Sequence, residues 1–356
     1  MDDLIRLTSE LIHFRSTPDR PGRIAECADF VAAFLDRRDI AYQRSENQGV
    51  PSIWVVPQAG FAPVLLMSHL DVVDGPPEIF NPRVEGDRLW GRGSIDDKYA
   101  VALSLLLLEE FINRAGGDPS GLPFGILITG DEEVGGRHGA RAALEQIRAD
   151  FAIALDGGSL GKIVIREKGI LQLKLVCRGV AAHGARPWLG ENAIEKLTAD
   201  YSNIRGLFTA ATPDHWHRTL NWGRVRAGEA ANQVPDRAEA VLDIRYTEAD
   251  DPQQLLADIR GAVAGEVEVL AQEPLFEGGD SPYLERLRAL VPETEIGVEH
   301  GASDARFLSK HSIPGIVWGA DGDMSQHSAQ EHLNLPSVAE LRRILTRFFE
   351  TAPLKE

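Results

Sequence analysis

Four consecutive apolar residues, Val64 to Met67, stand between Pro63 and Ser68-His69-Leu70-Asp71. A short run without polar alternation is the signature of a strand buried on both faces of a parallel sheet. At its exit His69 and Asp71 are two residues apart, which puts both side chains on one face. A ring nitrogen and a carboxylate there suit a metal ion, with Asp71 holding the imidazole in one tautomer. The same tripeptide also surrounds histidines that only pack in a core, so the rest of the chain has to supply the context.

The chain repeats the alternation. Leu4, Leu7, Leu11 and Phe14 fall at helical spacing with Asp2 or Asp3 near the cap, and Ile24 to Leu35 reads as a second helix. Strands are expected at Ile53–Val56, 64–70, Phe124–Thr129 and Phe151–Leu155, and helices at about Tyr99–Ala115 and Ala140–Ile147. A Pro- and Gly-rich excursion runs from Gly75 to Arg92. This is the pattern of an α/β layer with a largely parallel sheet. From about Lys162 it changes: Ile163–Ile165, Leu171–Val176 and Ala238–Ile244 read as half-exposed strands of an antiparallel sheet, Asn192–Ile204 and Pro252–Val263 as helices. An inserted α+β domain over 168–277 fits, leaving 1–167 with 278–356 as the main domain. The α/β pattern resumes from Ser281, with a helix at 283–290, a strand at Gly315–Trp318 and a last helix from Ser337 to Glu350. Two domains also suit a length of 356 residues.

Lys and Arg number 37 against 54 Asp and Glu, a net charge of −17, which argues against nucleic acid or an anionic membrane as partner. Cys27 and Cys177 are the only cysteines and lie far apart, which is neither a disulfide framework nor a zinc-finger spacing and fits a reducing, cytoplasmic setting. The first residues lack the basic region of a signal peptide, and the run Ala100–Leu108, broken by Ser104, is well short of the ~20 residues of a membrane span.

In open α/β sheets functional groups gather beyond the carboxyl ends of the strands. Here those ends lead to His69 and Asp71, to Asp131-Glu132-Glu133, to Asp156, and to a loop carrying His327. Each acidic residue alone reads equally as a helix cap or a solvated turn; their coincidence on one edge does not. Such a set suits two divalent metals roughly 3.5–4 Å apart, bridged by one carboxylate and each completed by a histidine and a second carboxylate. The bridge would be Asp96, with His69 and Asp156 on one metal and Glu133 and His327 on the other. Mixed N/O ligands favour zinc, with cobalt or manganese as substitutes. Of the pair Glu132-Glu133, one carboxylate can ligate while the other acts as general base.

These residues amount to a resemblance. The chain resembles the co-catalytic zinc hydrolases that include acetylornithine deacetylase, succinyl-diaminopimelate desuccinylase, aminoacylase, glutamate carboxypeptidase and several dipeptidases. The matching pieces are S-H-L-D at 68–71, W-G-R-G-S-I-D-D-K at 90–98, T-G-D-E-E-V-G-G at 129–136, A-H-G-A-R-P-W-L-G-E-N-A-I at 182–194, N-Q-V-P at 232–235, D-I-R at 243–245, G-A-S-D-A-R-F at 301–307 and H-S-A-Q-E at 327–331. They occur in family order over nearly the whole chain. The resemblance implies two Zn²⁺ ions on the ligands above, Glu132 as the base, Asp71 orienting His69, and a cis peptide between Asp96 and Asp97. It implies that the inserted domain is a ferredoxin-like lid and dimerisation domain of a homodimer, and that His183 reaches the partner subunit's site to stabilise an oxyanion. Arg245, Asn232, Ser303 and Arg306 become candidates for gripping a substrate carboxylate, with structural salt bridges an equal reading for the two arginines. His13, His138, His215, His217, His300, His311 and His332 match no ligand position.

Two departures stand out. Tyr99 follows D-D-K where the family usually has Gly, and can narrow the site mouth or simply pack. Asp156 is the residue of the family's aminopeptidases and dipeptidases, whereas S-D-A-R-F looks more like the desuccinylase and deacetylase branch. The expected activity is hydrolysis of an amide bond in a small peptide or N-acyl amino acid by metal-activated water. A catalytically silent metal-binding or regulatory protein is the alternative.

Overall fold

The structure, a computed structural model, describes residues 1–157 and 159–351. The described residues form two compact units, one of residues 1–166, 276–298 and 303–351, the other of 167–275 and 299–302.

The first unit is built on a mixed, largely parallel sheet of nine strands. Its order is Gln43–Asn47, Val50–Val55, Phe124–Thr129, Phe61–His69, Arg148–Ala154, Gly315–Val317, Lys162–Glu167 and Phe276–Glu277, with Glu295–Glu299 beside Lys162–Glu167. Phe61–His69 lies at the centre, parallel to both neighbours. Its apolar run is buried on both sides as expected. Val64 and Leu66 join the larger core with helices Asp2–Ile12, Pro21–Asp36, Lys98–Arg114 and Leu335–Glu350, while Leu65 and Met67 join a second core beneath Ala140–Ala143 and Phe307. The helix Lys98–Arg114 is buried nearly all round, which explains its unpatterned leucines.

The second unit has the order β-α-β-β-α-β, with a four-stranded antiparallel sheet arranged Thr219–Ala227, Arg237–Tyr246, Gly169–Arg178, Glu266–Glu273. That is ferredoxin-like topology. Helices Ala193–Arg205 and Pro252–Ala262 cover one face through Leu171, Leu173, Leu175, Ala238, Ala240, Leu242 and Ile244. Alternate residues such as Lys174, Glu239 and Asp243 lie outside that core, the period-2 pattern of a half-covered sheet.

Two local readings need correction. Ile163–Ile165 belongs to the large sheet, because Ile163 enters one core and Val164 the other, so the segment is covered on both sides. The helix expected over Ala140–Ile147 stops at Ala143, where Leu144 and Ile147 turn inward as core anchors ahead of strand Arg148–Ala154. The edge strands Gln43–Asn47 and Thr219–Ala227 were not foreseen, since both are mostly exposed and polar.

Candidate metal centre

His69 ends the central strand. Its backbone N–H donates to Asp97 Oδ2 at 3.2 Å, and its Nδ1 faces the Asp71 carbonyl at 3.0 Å with the Asp71 carboxylate at 3.4 Å. This leaves Nε2 turned toward Asp96 Oδ1 at 3.1 Å and Asp156 Oδ1 at 3.9 Å. Although buried, Nε2 has no hydrogen-bond partner among the described residues. Its neighbours are close but badly aligned for an N–H, as lone pairs are when they converge on a common point.

Asp96 stands between two such groups. Its Oδ1 faces His69, and its Oδ2 lies 3.1 Å from His327 Nε2, which is itself 3.2 Å from Glu133 Oε2. The donor atoms of His69, Asp96 and Asp156, and those of Asp96, Glu133 and His327, each lie within 4.8 Å of one another. The Asp96–Asp97 peptide is cis, as the resemblance implies. No bound ion is needed to see the electrostatic demand. Asp96 and Glu133, accepting from its Nε2, raise His327 to about 10, and desolvation notwithstanding, Asp156, Asp71 and Asp96 raise His69 well above its ordinary value. Three clustered carboxylates call for positive charge, and protons supply it where a dication does not.

Backbone N–H groups build the turn that holds the glutamates. Asp71 Oδ1 and Oδ2 accept from Glu132 and Glu133 at 3.1 and 3.0 Å, at the start of the 3-10 turn Glu132–Val134. Glu133 is further fixed by the Val73 N–H at 3.1 Å on its Oε1. Glu132 points elsewhere: its Oε1 is 3.6 Å from Arg306 Nη1. Burial first, then the charges of Asp156 and Asp304, push its carboxyl well up. His69, Glu132, Asp156 and Asp304 line one small cavity with Met67, Leu127 and Ala154.

Ser303 and Arg306 belong to the same unit. Ser303 Oγ caps the turn Asp304–Phe307 by accepting the Ala305 N–H at 3.2 Å, and its carbonyl accepts Arg306 Nη1 at 2.6 Å. Arg306 is 2% exposed, with Asp304 Oδ1 3.7 Å from Nη2. Within the second unit, His183 and Asn232 meet on a two-stranded ladder, where Ala182–His183 pairs with Gln233–Val234 and the Gly184 N–H donates to the Asn232 carbonyl at 2.7 Å. Arg245 is elsewhere on that unit, on strand Arg237–Tyr246, paired with Asp243 at 2.7 Å. His215-Trp216-His217 forms no metal group among the described residues.

Two residues of consequence carried no distinguishing signal. Glu331, part of a matched motif but given no role, accepts the N–H groups of Gly93, Ile95 and Asp96 at 2.8, 3.3 and 3.3 Å and pairs with buried Arg92. Burial pushes it up to about 7, against the pull of Arg92. Asp97 receives the His69 N–H, and burial pushes its carboxyl well up.

Residues 65–351 match the model of peptidase family M20/M25/M40. The chain belongs to that family. The resemblance carried by the motifs is thereby borne out, and the chain falls among metallohydrolases acting on peptides or acyl amino acids. A succinyl-diaminopimelate desuccinylase of Dinoroseobacter shibae is 29% identical over 381 residues, covering 98% of each chain. A probable carboxypeptidase of Aspergillus terreus is 32% identical over 271 residues, 68% of this chain and 60% of that protein. In fold, this M20 member superimposes on a metallo-carboxypeptidase from Sulfolobus solfataricus with a TM-score of 0.82, at 18% identity and full coverage of both chains.

Proposed function

We propose that this M20-family protein is a cytoplasmic amide hydrolase for small peptides or N-acyl amino acids. His69, Asp96 and Asp156 would hold one Zn²⁺, and Asp96, Glu133 and His327 a second, with cobalt or manganese as substitutes. The observation that carries this reading is the buried Nε2 of His69, unpartnered among the described residues and facing Asp96 and Asp156. When bound, the dications supply Lewis acidity to a carbonyl oxygen and acidify water.

The chain's own groups do the rest. Glu132 accepts the proton of the attacking water and returns it to the leaving nitrogen. Asp71 sets the direction of His69 and the place of both glutamates through the contacts already given. His183 Nδ1 accepts the Ala185 N–H at 3.0 Å, so the ring proton sits on Nε2, free in chemistry to donate to an oxyanion in the site of a second copy. A homodimer through 168–277 is supported by the apolar residues Trp188 and Leu189, 75% and 64% exposed just after the His183 ladder. Asn232, Ser303 and Arg245 are the substrate-carboxylate candidates. For Arg306 the contacts with Glu132 and Asp304 favour an internal ion pair over a substrate grip. A silent binding protein has no observation in its favour.

The test is chelator-reversible hydrolysis by zinc-reconstituted protein on N-acetyl and N-succinyl amino acids and on unblocked dipeptides. Turnover of either set, lost with chelator and restored by zinc, supports the reading and chooses between deacylase and peptidase. Turnover of neither, with two metals bound, overturns it.

A further inference from the structure

Tyr99 is wholly buried at the start of helix Lys98–Arg114, three residues after Asp96. Its hydroxyl makes two hydrogen bonds. It donates to the Leu155 carbonyl at 2.6 Å and accepts the Ala320 N–H at 3.0 Å. Leu155 is the residue immediately before Asp156, and its own N–H donates to the Met67 carbonyl at 2.9 Å. Leu155, the residue leading into Asp156, is therefore gripped at both of its peptide groups, by the central strand through its N–H and by Tyr99 through its C=O. On the far side the fit leaves no slack: a Cβ on Gly319 would meet Tyr99 Oη at 2.3 Å and the Leu155 carbonyl at 2.7 Å.

We propose that Tyr99 is a positioning residue for Asp156. Its rigid ring, anchored in the helix that begins beside Asp96, fixes the separation of two carboxylates assigned to the same metal. A ring buried only for packing would do equally well as phenylalanine; the hydroxyl is what the backbone contacts use. Asp has one methylene fewer than Glu and so less reach to correct a displaced backbone, which is why its approach needs bracing. The inference rests on the metal reading above.

The experiment is competitive titration of two Zn²⁺ equivalents into the metal-free full chain, comparing wild type, Tyr99→Phe and Asp156→Ala. Asp156→Ala identifies the equivalent that depends on that carboxylate. Tyr99→Phe is expected to weaken the same equivalent about tenfold and leave the other within about twofold, the scale of an outer partner to a ligand. Equal affinities in Tyr99→Phe and wild type, or parallel weakening of both equivalents, would overturn the positioning role. Should Tyr99→Phe not fold, Tyr99→Met, an adaptable apolar filler without the hydroxyl, must give the same selective loss or the proposal fails. If Asp156→Ala keeps both metals at wild-type affinity, it is the metal assignment itself that falls, and the Tyr99 role with it.

Discussion

The two units hold their candidate residues in opposite ways. In the larger unit His69, Asp71, Asp97 and Glu331 are all buried; Asp71, Asp97 and Glu331 accept backbone N–H groups from distant parts of the chain, one of them that of His69. In the smaller one His183 and Asn232 are exposed and tied to the short ladder that carries them and the turn beside it. The difference teaches where precision is built in. Residues proposed to build a metal pair need fixing to a fraction of an ångström, which the buried cross-links of Asp71, Asp97 and Glu331 favour, while a group proposed to work on a second copy would have to stay on the surface.

The sharpest way to break that contrast is Asp96→Ala, which should release both metals and reduce turnover to background; metal analysis still giving two ions per chain would put the bridge elsewhere. Next in size, Glu132→Gln should retain both metals and lower kcat by at least ~10², and near-normal turnover would remove Glu132 from its role. His183→Ala should cost ~10² in kcat, the scale of one oxyanion donor, with little change in metal content. Mixing the impaired His183→Ala with the impaired Glu132→Gln should restore part of the activity if the histidine serves its partner's site, and no recovery would argue against service across the dimer. Asp71→Ala strands two N–H groups at ~1–3 kcal/mol each and should lower the melting temperature of the metal-free protein clearly, whereas His183→Ala should change stability by less than ~0.5 kcal/mol. Equal losses in that pair would erase the distinction between the two units.

Much of this was legible in the sequence, and for a definite reason. Val64–Met67 can be buried on both faces only in a covered sheet, and the groups just past such strands share one edge, so His69, Glu132, Glu133 and Asp156 announced themselves by position. Glu331 and Asp97 did not, because nothing local tells which remote N–H an acidic loop residue will accept. Tyr99 and Asp156 were each visible as departures, but their connection through the Leu155 carbonyl is a tertiary fact. The edge strand Thr219–Ala227 was hidden for a simpler reason, since most of its residues face solvent and leave no hydrophobic period to read.

Glu331 has a consequence for how the molecule is made. The segment Gly93–Asp96 is held by a carboxylate that is 235 residues further along the chain from Asp96, and His327 lies just ahead of that carboxylate in the same late loop. A nascent polypeptide thus carries His69, Asp96, Glu133 and Asp156 long before it has either the prop or the final imidazole. The proposed centre cannot close until residues 327–331 have been made, so loading of a metal pair there would wait for that late loop.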